Sequence, residues 1–488
     1  MAENMLVLAS SAPPEGASLP PGTLLVADPS LEWMTDHLIA GGSPWRLLRL
    51  TDHAVALLSQ WASGTRLSNS PTEGAFARRL VDAGFLHPVF PPRRPANGEI
   101  AIVIPVRDDA PGLERVLAAL SSTSAAVTVV DDGSSDAGSI ARTAASHGAK
   151  LIRCETSRGP GAARNRGLEA TTSAFVAFLD CDVLPPDGWL DELFHHFDDP
   201  MVAAVAPRVR GPGGPGTRDH FEAIISPLDL GSSPGIVRPS SAIPFVPGTA
   251  LIVRRSALGV PFDETLRIGE DVDLVWRLSA AGWVVRYDPS VVVFHPARDS
   301  WPAWIAQRFK YGRSAGPLEA RHGDNAAPLH ADPRVMATWA LVLAGRPRLA
   351  LGMLSWSAAS LSRRLEGIAE RGGREAVARK IAARGIALAG PGLARSTFRN
   401  YGPYLILGAV VLPPLRRPVL TLTVAATAVR WWYAGKPKRP VSFAVLSIAE
   451  DFAYAAGVLE GVVRTRRLGA LRPRLRPATT TAPTLSAS

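Results

Sequence analysis

Short apolar runs alternate with segments of helical spacing between residues 99 and 179. The runs predict buried strands at residues 100–107, 127–130, 150–153 and 174–179. The segments between them place apolar residues on one helix face, as in the set Leu113, Val116, Leu117 and Leu120. This alternation predicts a mostly parallel, doubly wound α/β sheet. Because ligands of such sheets bind beyond the carboxyl ends of the strands, the residues at those ends are the first candidates for a site.

Acidic side chains follow two of these strands. Asp180 and Asp182 come directly after the last strand, and Asp131 and Asp132 end the second. In an extended chain, residues i and i+2 point to the same side, so we expect Asp180 and Asp182 to converge on one object. Two carboxylates in that position suit a divalent cation such as Mg²⁺ or Mn²⁺ that also holds a phosphate. Alternatively, one caps the following helix and the other is solvated.

Two further segments have the chemistry of a nucleotide site. Gly133 and Ser134 form a turn after the acidic pair Asp131-Asp132, where a carboxylate can accept hydrogen bonds from a base or from ribose hydroxyls. Residues 157–167 put glycines before a helix N-terminus that carries arginines, an arrangement that can receive a phosphate. Helix capping and a solvated basic loop are the alternative interpretations of these two segments.

The ordered set of motifs closely resembles family 2 glycosyltransferases of the GT-A fold. The resemblance covers about residues 99–313 and depends on the segments 131–134, 159–167, 180–182, 260–264, 269–278 and 281–296. Each segment alone is a weak signal, whereas their order along the chain is specific. The resemblance implies transfer of a sugar from a nucleotide sugar, with Mg²⁺ or Mn²⁺ on the diphosphate.

The resemblance also implies a role for individual residues. Donor binding would involve Pro105, Asp131, Asp132, Gly133, Arg164, Asn165 and Asp180. The metal would be held by Asp182, Asp180 and His295, and the catalytic pair would be Asp271, as the base, and Glu270. The acceptor would lie against Gly248, Thr249, Gln307, Arg308 and Tyr311. As the alternative, acids at a helix N-terminus and a histidine after a strand also occur without any catalytic role.

The same resemblance bears on the product. Direct attack assisted by a single base inverts the anomeric centre, so an α-linked donor would yield a β-glycoside. Residues 307–313 resemble the Gln/Arg-rich segment that polymerising members use at the acceptor channel, but they lack the Gln-x-x-Arg-Trp pattern of those members. We therefore expect transfer of one or a few sugars rather than of a long polymer. For this segment, a basic surface helix is the alternative.

Composition divides the rest of the chain. Residues 1–22 are rich in Pro, Ser, Gly and Ala and are expected to be disordered, as is the tail 472–488. Residues 23–95 predict a small α+β domain and a linker; the domain resembles peptide-recognition domains of the PqqD type, and a plain structural cap is the equal alternative. A catalytic domain at 96–331 and a helical region at 332–471 complete the predicted organisation.

The C-terminal helical region is apolar and studded with arginine. We find no segment that reaches the about 18–20 charge-free residues of a membrane span. Flanking arginines and the cluster Trp431-Trp432-Tyr433 favour helices that lie on the cytoplasmic face of the cell membrane. The alternative is a helical core packed on the catalytic domain. The net charge of +10 fits an anionic membrane or a phosphate-rich ligand, and without a nucleic-acid-binding motif we expect no nucleic-acid partner.

The three-part architecture as a whole resembles the glycosyltransferases of the mycofactocin pathway. Enzymes of that family put β-1,4-linked glucose units on a peptide-derived redox cofactor precursor, so the expected reaction is inverting transfer of glucose from UDP-glucose to a hydroxyl of that precursor. A membrane glycosyltransferase with a lipid or polysaccharide acceptor and a catalytically silent binding module are the alternatives. A dinucleotide-dependent oxidoreductase is disfavoured, because no G-x-G-x-x-G follows the first strand.

Overall fold

The structure, a computed structural model, describes residues 12–14, 17–366, 371–475 and 484–485. Its N-terminal unit contains strands β1 (Leu24–Ala27), β2 (Glu32–Thr35), β3 (Leu38–Gly41), β4 (Arg46–Leu50) and β5 (Leu86–Val89). Between β4 and β5 lie helices α1 (Asp52–Ala62) and α2 (Pro71–Asp82). Both helices begin at a hydroxyl cap, since the side chains of Thr51 and Ser70 accept backbone N–H bonds from the first turn.

The N-terminal unit shares its core with the central sheet. Trp61, Phe76 and Phe85 belong to the same buried cluster as Ile102 and Ile104, which lie on the first strand of that sheet. The unit is therefore built into the molecule and does not form a separate small domain with its own core.

Part of the N-terminal segment expected to be disordered is ordered. Leu19 lies in the same buried cluster, and its N–H donates to the carbonyl of Gly74 at 3.2 Å. The expectation of disorder for residues 1–22 is therefore wrong at this position, because an apolar side chain in a polar segment found a buried site. Residues 1–11 and 15–16 lie outside the described part of the chain.

Eight strands form the central sheet. They are β6 (Ile100–Val106), β7 (Ala126–Asp132), β8 (Lys150–Cys154), β9 (Phe175–Leu179), β10 (Val202–Arg210), β11 (Gly235–Ile236), β12 (Ala250–Arg254) and β13 (Val284–Phe294). Their order is β11-β13-β10-β12-β9-β6-β7-β8, with β12 antiparallel to both of its neighbours and β9, β6, β7 and β8 mutually parallel. The intervening helices are α3 (Ala110–Ala119), α4 (Ala137–Ser146), α5 (Pro160–Glu169), α6 (Trp189–Phe194), α7 (Thr217–Ile224) and α8 (Glu270–Ala280). The predicted doubly wound α/β fold is confirmed.

Helices dominate the remainder of the chain. They are α9 (Trp301–Arg313), α10 (Ala315–His322), α11 (Pro333–Leu343), α12 (Pro347–Arg364), α13 (Arg371–Val411), α14 (Arg416–Tyr433) and α15 (Pro440–Thr465). Three short strands accompany them: β14 (His330–Ala331), β15 (Arg474–Leu475) and β16 (Thr484–Leu485). β15 pairs with β14, and β16 pairs with β4 of the N-terminal unit. The tail 472–488 is thus paired where it is described, contrary to the expected disorder; residues 476–483 and 486–488 lie outside the described part.

Helix α15 packs against α9 and α10 with the backbones in direct contact. Glycines permit this approach, and they are Gly312 and Gly316 on one side and Gly457 and Gly461 on the other. A Cβ added to Gly312 would lie 2.0 Å from the carbonyl oxygen of Tyr454, and one added to Gly457 would lie 2.0 Å from that of Phe309. The C-terminal helical region therefore packs on the catalytic part through close contacts between helix backbones.

By length and composition alone, α15 could cross a membrane, and it is the one helix in the described part of the chain that could. The relevant 18-residue window has a mean hydropathy of 1.4, and half of it is buried inside the protein. Glu450 and Asp451 lie within this helix, fully buried, and accept hydrogen bonds from Arg430 and Arg395. The expectation that no segment reaches about 18–20 charge-free residues holds for this helix, because Glu450 and Asp451 interrupt it, and a core helix of a soluble protein passes the same test of length and composition.

Candidate active site

A cavity of about 1180 Å³ lies beyond the carboxyl ends of β6, β7 and β9. Most of the predicted site residues line it, namely Pro105, Asp132, Arg164, Asp180, Asp182, Thr249, Glu270, Asp271, His295, Gln307 and Tyr311. Helices α9, α10, α13 and α15 and several loops contribute to the rest of the wall. The strands thus supply the acidic end of the cavity, as a doubly wound sheet requires, while C-terminal helices supply the other end.

Asp132 fixes the glycine-rich turn in front of α5. Its Oδ1 accepts from the N–H of Arg158 at 2.9 Å, and its Oδ2 accepts from Ser157 Oγ at 2.7 Å and from the N–H of Gly159 at 2.9 Å. Gly159 has a φ of +99°, which only glycine adopts readily. Three of about four acceptor positions on this carboxylate are occupied, which leaves room for one further donor such as a ribose hydroxyl.

Asp131 and Asn165 lie behind the cavity and not in its wall. Asp131 is fully buried and forms an ion pair with Arg153, its neighbour in the β7–β8 register. The amide of Asn165 donates to the carbonyl of Phe262 at 2.8 Å and accepts from its N–H at 3.0 Å. Both were expected to bind the donor, and both instead hold neighbouring backbone segments together.

Gly133, Gly248 and Arg308 also depart from their expected roles. A Cβ on Gly133 would lie 2.7 Å from the nitrogen of Ser157, so this glycine permits close packing of two loops. Arg308 is 2% exposed and forms a buried ion pair with Glu222. It is neither a surface cation nor an acceptor contact, because its side chain is directed into the interior. Gly248 acts through its backbone N–H, which binds the predicted base.

Asp180 does not share its partners with Asp182. Strand β9 ends at Leu179, and the chain then turns, so the two carboxylates are not held in an extended i, i+2 arrangement. Asp180 Oδ1 accepts a hydrogen bond from Arg164 Nη2 at 2.7 Å. A turn therefore replaces the extended arrangement on which the expectation was based, and both side chains line one cavity.

Asp182 lies next to His295 and Arg298. Its Oδ2 is 3.4 Å from His295 Nε2 and 3.3 Å from Arg298 Nη1. These residues meet because Leu184 and Phe294, each close by in sequence, exchange two backbone hydrogen bonds at 2.8 and 3.0 Å. A carboxylate and an imidazole on adjoining loops are a donor set that Mn²⁺ or Mg²⁺ accepts.

Cys181, which lies between Asp180 and Asp182 in the chain, does not act as a metal ligand. Burial, reinforced by the charge of Asp182, raises the pKa of Cys181 well above its ordinary value. The side chain therefore remains a neutral thiol near pH 7, since only a thiolate is an effective nucleophile or metal ligand. This leaves a site of oxygen and imidazole donors, which favours a hard cation over a soft one.

Another group of ligand-type atoms lies outside the cavity wall. His195, His196 and Asp288 place such atoms within 4.8 Å of one another. His196 Nε2 lies 2.7 Å from Asp288 Oδ2. Burial lowers the pKa of His196, so the neutral imidazole satisfies this carboxylate as a structural hydrogen-bond partner.

Asp271 stands at the N-terminus of α8. Its Oδ2 accepts from the N–H of Gly248 at 2.8 Å, and its Oδ1 accepts from the N–H of Val272 at 2.8 Å. Gly269 precedes the helix with a φ of +82° and turns the chain into a first turn that contains three acids, Glu270, Asp271 and Asp273. The helix dipole favours the ionised carboxylate there, as a general base requires.

Glu270 is buried beside the base and does not contact solvent freely. It accepts a hydrogen bond from Arg164 Nη1 at 2.7 Å and is 5% exposed. Burial and the neighbouring charge of Asp271 raise the pKa of Glu270 to about 7, against the opposing effect of Arg164. Its geometry supports a role in positioning Arg164 rather than in taking a proton from a substrate.

Arg267 and Arg298 are among the cavity-lining cations that were not predicted as site residues. Arg298 follows His295 by three residues in the loop after a strand, so a cation at a strand end was an available signal. Arg267 contacts the turn before α5, where a Cβ on Gly159 would lie 2.9 Å from its Nη1. No local pattern predicts that contact, because the two residues are far apart in the chain.

Comparison with known proteins gives a consistent result. Residues 101–260 match the family model described as Glycosyl transferase family 2. The chain is 38% identical over 472 residues to the Pre-mycofactocin glycosyltransferase of Mycobacterium tuberculosis, which covers 94% of this chain and 99% of that protein. It is 33% identical over 215 residues to the succinoglycan biosynthesis protein ExoU of Rhizobium meliloti, covering 38% and 58%. The solved mannosyltransferase PcManGT from Pyrobaculum calidifontis, in complex with GDP-Man and Mn²⁺, aligns with a TM-score of 0.37 and 17% identity over 70% of this chain and 90% of that one.

Proposed function

This chain belongs to the family 2 glycosyltransferases and resembles the Pre-mycofactocin glycosyltransferase of Mycobacterium tuberculosis over nearly its whole length, and we propose that it transfers glucose from UDP-glucose to a hydroxyl of a peptide-derived redox cofactor precursor. The likeness to the Mycobacterium tuberculosis protein extends over the N-terminal unit, the sheet and the C-terminal helices. One observation carries the chemistry: Asp271, held by two backbone N–H groups, lies in the wall of a cavity that also contains the acidic turn.

Asp271 acts as the general base of this reaction. It takes the proton from the acceptor hydroxyl while that oxygen attacks the anomeric carbon of glucose. The bond from this carbon to the diphosphate oxygen breaks, and its electron pair leaves with UDP. One direct displacement inverts the anomeric centre, so the α-linked donor gives a β-glucoside. A correctly placed base of this kind contributes about 10²–10⁴-fold to the rate.

The acidic turn and nearby cations hold the leaving group. Asp182 and His295, with Asp180 close by, would bind Mg²⁺ or Mn²⁺, which offsets the charge of the diphosphate when it is present. The donor set fits such a cation, because its members are carboxylates and an imidazole. Arg298 and the N-terminus of α5 add positive charge in the same cavity.

The product is a short β-1,4-linked oligoglucoside under this proposal. Arg308 supports short products, because it pairs with Glu222 in the interior and so does not line an acceptor channel as the segment of polymerising enzymes does. The second candidate is a membrane glycosyltransferase with a lipid or polysaccharide acceptor. It is favoured by the apolar surface of the C-terminal helices described below.

Mass spectrometry on the purified full-length chain tests the proposal. The chain is incubated with Mn²⁺, isotope-labelled UDP-glucose and a pool of peptide-derived small molecules that carry hydroxyls. We expect products that contain one or a few labelled hexoses in β linkage. Labelling of polyprenyl phosphate, with no labelled small molecule, would support the second candidate instead.

The substitution Asp271→Asn tests the assignment of the base. We expect turnover to fall by about 10³-fold, because the amide cannot accept the proton, while affinity for UDP-glucose is retained. Asp191→Asn is the matched control, since Asp191 also occupies the first turn of a helix but lies outside the cavity wall. Normal turnover of Asp271→Asn would refute the assignment.

We also propose that the enzyme works on the cytoplasmic face of the cell membrane. An apolar surface on α13, α14 and α15 carries the exposed side chains Leu407, Val410, Val411, Leu420, Val424, Trp432, Tyr433, Val441 and Val445. Val411 and Val441 are 77% and 76% exposed, and a set of such apolar side chains, unlike single ones, marks an interaction surface. Cations flank this surface at the start of α14 and before α15, at Arg416, Arg417, Lys436, Lys438 and Arg439. Apolar side chains bordered by lysine and arginine suit the headgroup region of an anionic bilayer.

A further inference from the structure

Three polar residues of α13 lie on one face of the helix and line the catalytic cavity. They are Ser396, Arg399 and Asn400, at positions i, i+3 and i+4. Asn400 is 6% exposed, and its Nδ2 donates to the carbonyl of Ser396 at 2.8 Å, which fixes the orientation of the amide. Tyr454 of α15 completes this part of the wall. Nothing in the proposed chemistry at Asp271 uses these four side chains.

The cation in this group, Arg399, packs against an aromatic ring. The Arg399 guanidinium lies 4.0 Å from the centroid of the Tyr454 ring, in the geometry of a cation–π contact. Glu450 and Asp451 act on Arg399 electrostatically, although their hydrogen bonds go to other arginines. The group therefore presents several hydrogen-bonding side chains beside an aromatic ring, which suits a polar ligand rich in hydroxyls.

The position of this group follows from the backbone contact between α9 and α15. Tyr311 lines the cavity and interacts electrostatically with Asp271. The next residue, Gly312, lies so close to Tyr454 that an added Cβ would be 2.0 Å from its carbonyl oxygen. Tyr454 and the polar face of α13 thus continue the cavity wall beyond Tyr311. They belong to the C-terminal helices, whereas the proposed donor site lies at the strand ends of the sheet.

We propose that Ser396, Arg399, Asn400 and Tyr454 form a subsite for a glucose unit already attached to the acceptor. Guanidinium and amide groups match pairs of neighbouring sugar hydroxyls, and a hydroxyl and an aromatic ring complete a common sugar-binding set. The subsite rests on the proposed function, since it positions a glucosylated acceptor for addition of the next unit. With this subsite, the enzyme recognises the growing oligoglucoside through residues that it does not need for the first, unglucosylated acceptor.

Two acceptor probes test this subsite with the full-length chain. We measure kcat/KM for transfer from UDP-glucose to 4-nitrophenol and to 4-nitrophenyl β-D-glucoside, for wild type, Arg399→Met and Tyr454→Phe. Each substitution is expected to lower the ratio of glucoside to phenol activity by about tenfold, because a hydrogen-bonding group of the subsite is lost. The affinity for UDP-glucose, measured by calorimetry, stays unchanged.

Arg379→Gln is the matched control, because Arg379 is an exposed arginine of the same helix outside the cavity wall. An unchanged ratio in both subsite variants would overturn the proposal, as would a parallel loss of both activities together with UDP-glucose affinity. A wild-type chain that glucosylates the phenol but never the glucoside would also overturn the subsite. A wild-type chain that uses neither acceptor and does not bind UDP-glucose would overturn the proposed function itself.

Discussion

Arg164 is the electrostatic centre of the site at the scale of single residues. Its guanidinium binds Asp180 and Glu270 at 2.7 Å each, and it also interacts with the charge of Asp271. The single guanidinium of Arg164 thus interacts with three carboxylates, in surroundings that are mostly buried. The excess negative charge explains why this end of the cavity suits a metal ion and further arginines, whose attraction is strong where water is excluded.

Asp182→Ala tests the metal site. We expect calorimetry to show that Mn²⁺ tightens UDP-glucose binding to the wild type, and that this gain is reduced at least about tenfold in the variant, because a ligand of the cation is lost. Asp187→Asn is the control, since Asp187 is exposed and lies outside the cavity wall. Binding curves with Mn²⁺ that match the wild type would remove Asp182 from the site.

Glu270→Gln tests the pKa of the buried acid. Glu270 keeps its proton up to about pH 7 in the folded chain, whereas its ordinary pKa is 4.5. The raised pKa therefore costs stability as pH rises from 4.5 through 7, and the glutamine variant escapes this cost. Between pH 5 and 8.5, we expect the wild type to lose about 2–3 kcal/mol relative to the variant in urea unfolding. A difference in unfolding free energy that does not change with pH would contradict the shift.

Single residues also mark the limit of what the sequence predicts. Asp131 and Asp132 are indistinguishable in the sequence, because both end the same strand. The structure separates them through Arg153, which lies opposite Asp131 in the neighbouring strand, so that Asp132 remains for the cavity. Asp271 was predictable, since its helix start and its place in the motif order are both local features.

At the scale of elements, the contact of α9 with α15 could not be predicted from the sequence. Strands and helices of the sheet follow from local periodicity and caps, as at Thr51 and Ser70. The glycines at 312 and 457 have no such local signature, and each is a neutral or unfavourable residue for its own helix. Each of them permits a close contact with a partner helix that is distant in the chain, so the sequence left open whether the C-terminal helices lie on a membrane or pack on the catalytic domain.

Gly457→Ala and Gly352→Ala form a matched pair for this contact. The added methyl at 457 would lie 2.0 Å from the carbonyl of Phe309, whereas nothing lies within 4 Å of one at 352. We expect Gly457→Ala to lower stability by about 1–3 kcal/mol and to reduce transfer, and Gly352→Ala to be neutral or stabilising by up to about 1 kcal/mol. Thermal unfolding and activity assays report both effects. Equal behaviour of the two variants would argue against a tight helix contact.

At the scale of the whole molecule, the chain is tied together at its ends. β16 pairs with β4, and β15 pairs with β14 after the sheet domain. Leu38, Ala40 and Leu47 of the N-terminal unit share a buried cluster with Leu361 and Val377 of α12 and α13. The sequence could not show that the surfaces of these regions are complementary, because pairing across hundreds of residues leaves no local pattern.

The double variant Val411→Glu/Leu420→Glu tests the membrane surface. In a flotation assay with vesicles of phosphatidylglycerol and phosphatidylcholine, we expect its partition constant to fall about 100-fold or more, because two apolar side chains no longer enter the lipid. Val26→Glu is the control, as Val26 is exposed on the N-terminal unit. High salt should weaken wild-type binding through screening of the cations. Equal flotation of both variants would refute the assignment of the surface.

The backbone contact of α15 also affects when the enzyme can become active during its synthesis. The strand ends and α9 leave the ribosome well before Pro440, so most of the cavity wall is synthesised before the part that α15 contributes. At about 5–20 residues per second, the intervening segment takes on the order of ten seconds to translate. During that interval the faces of α9 and α10 that carry Gly312 and Gly316 are open to water and to chaperones. A nascent chain therefore passes through a stage in which the strand-end part of the cavity is formed and the part that contains Tyr454 of α15 is still missing.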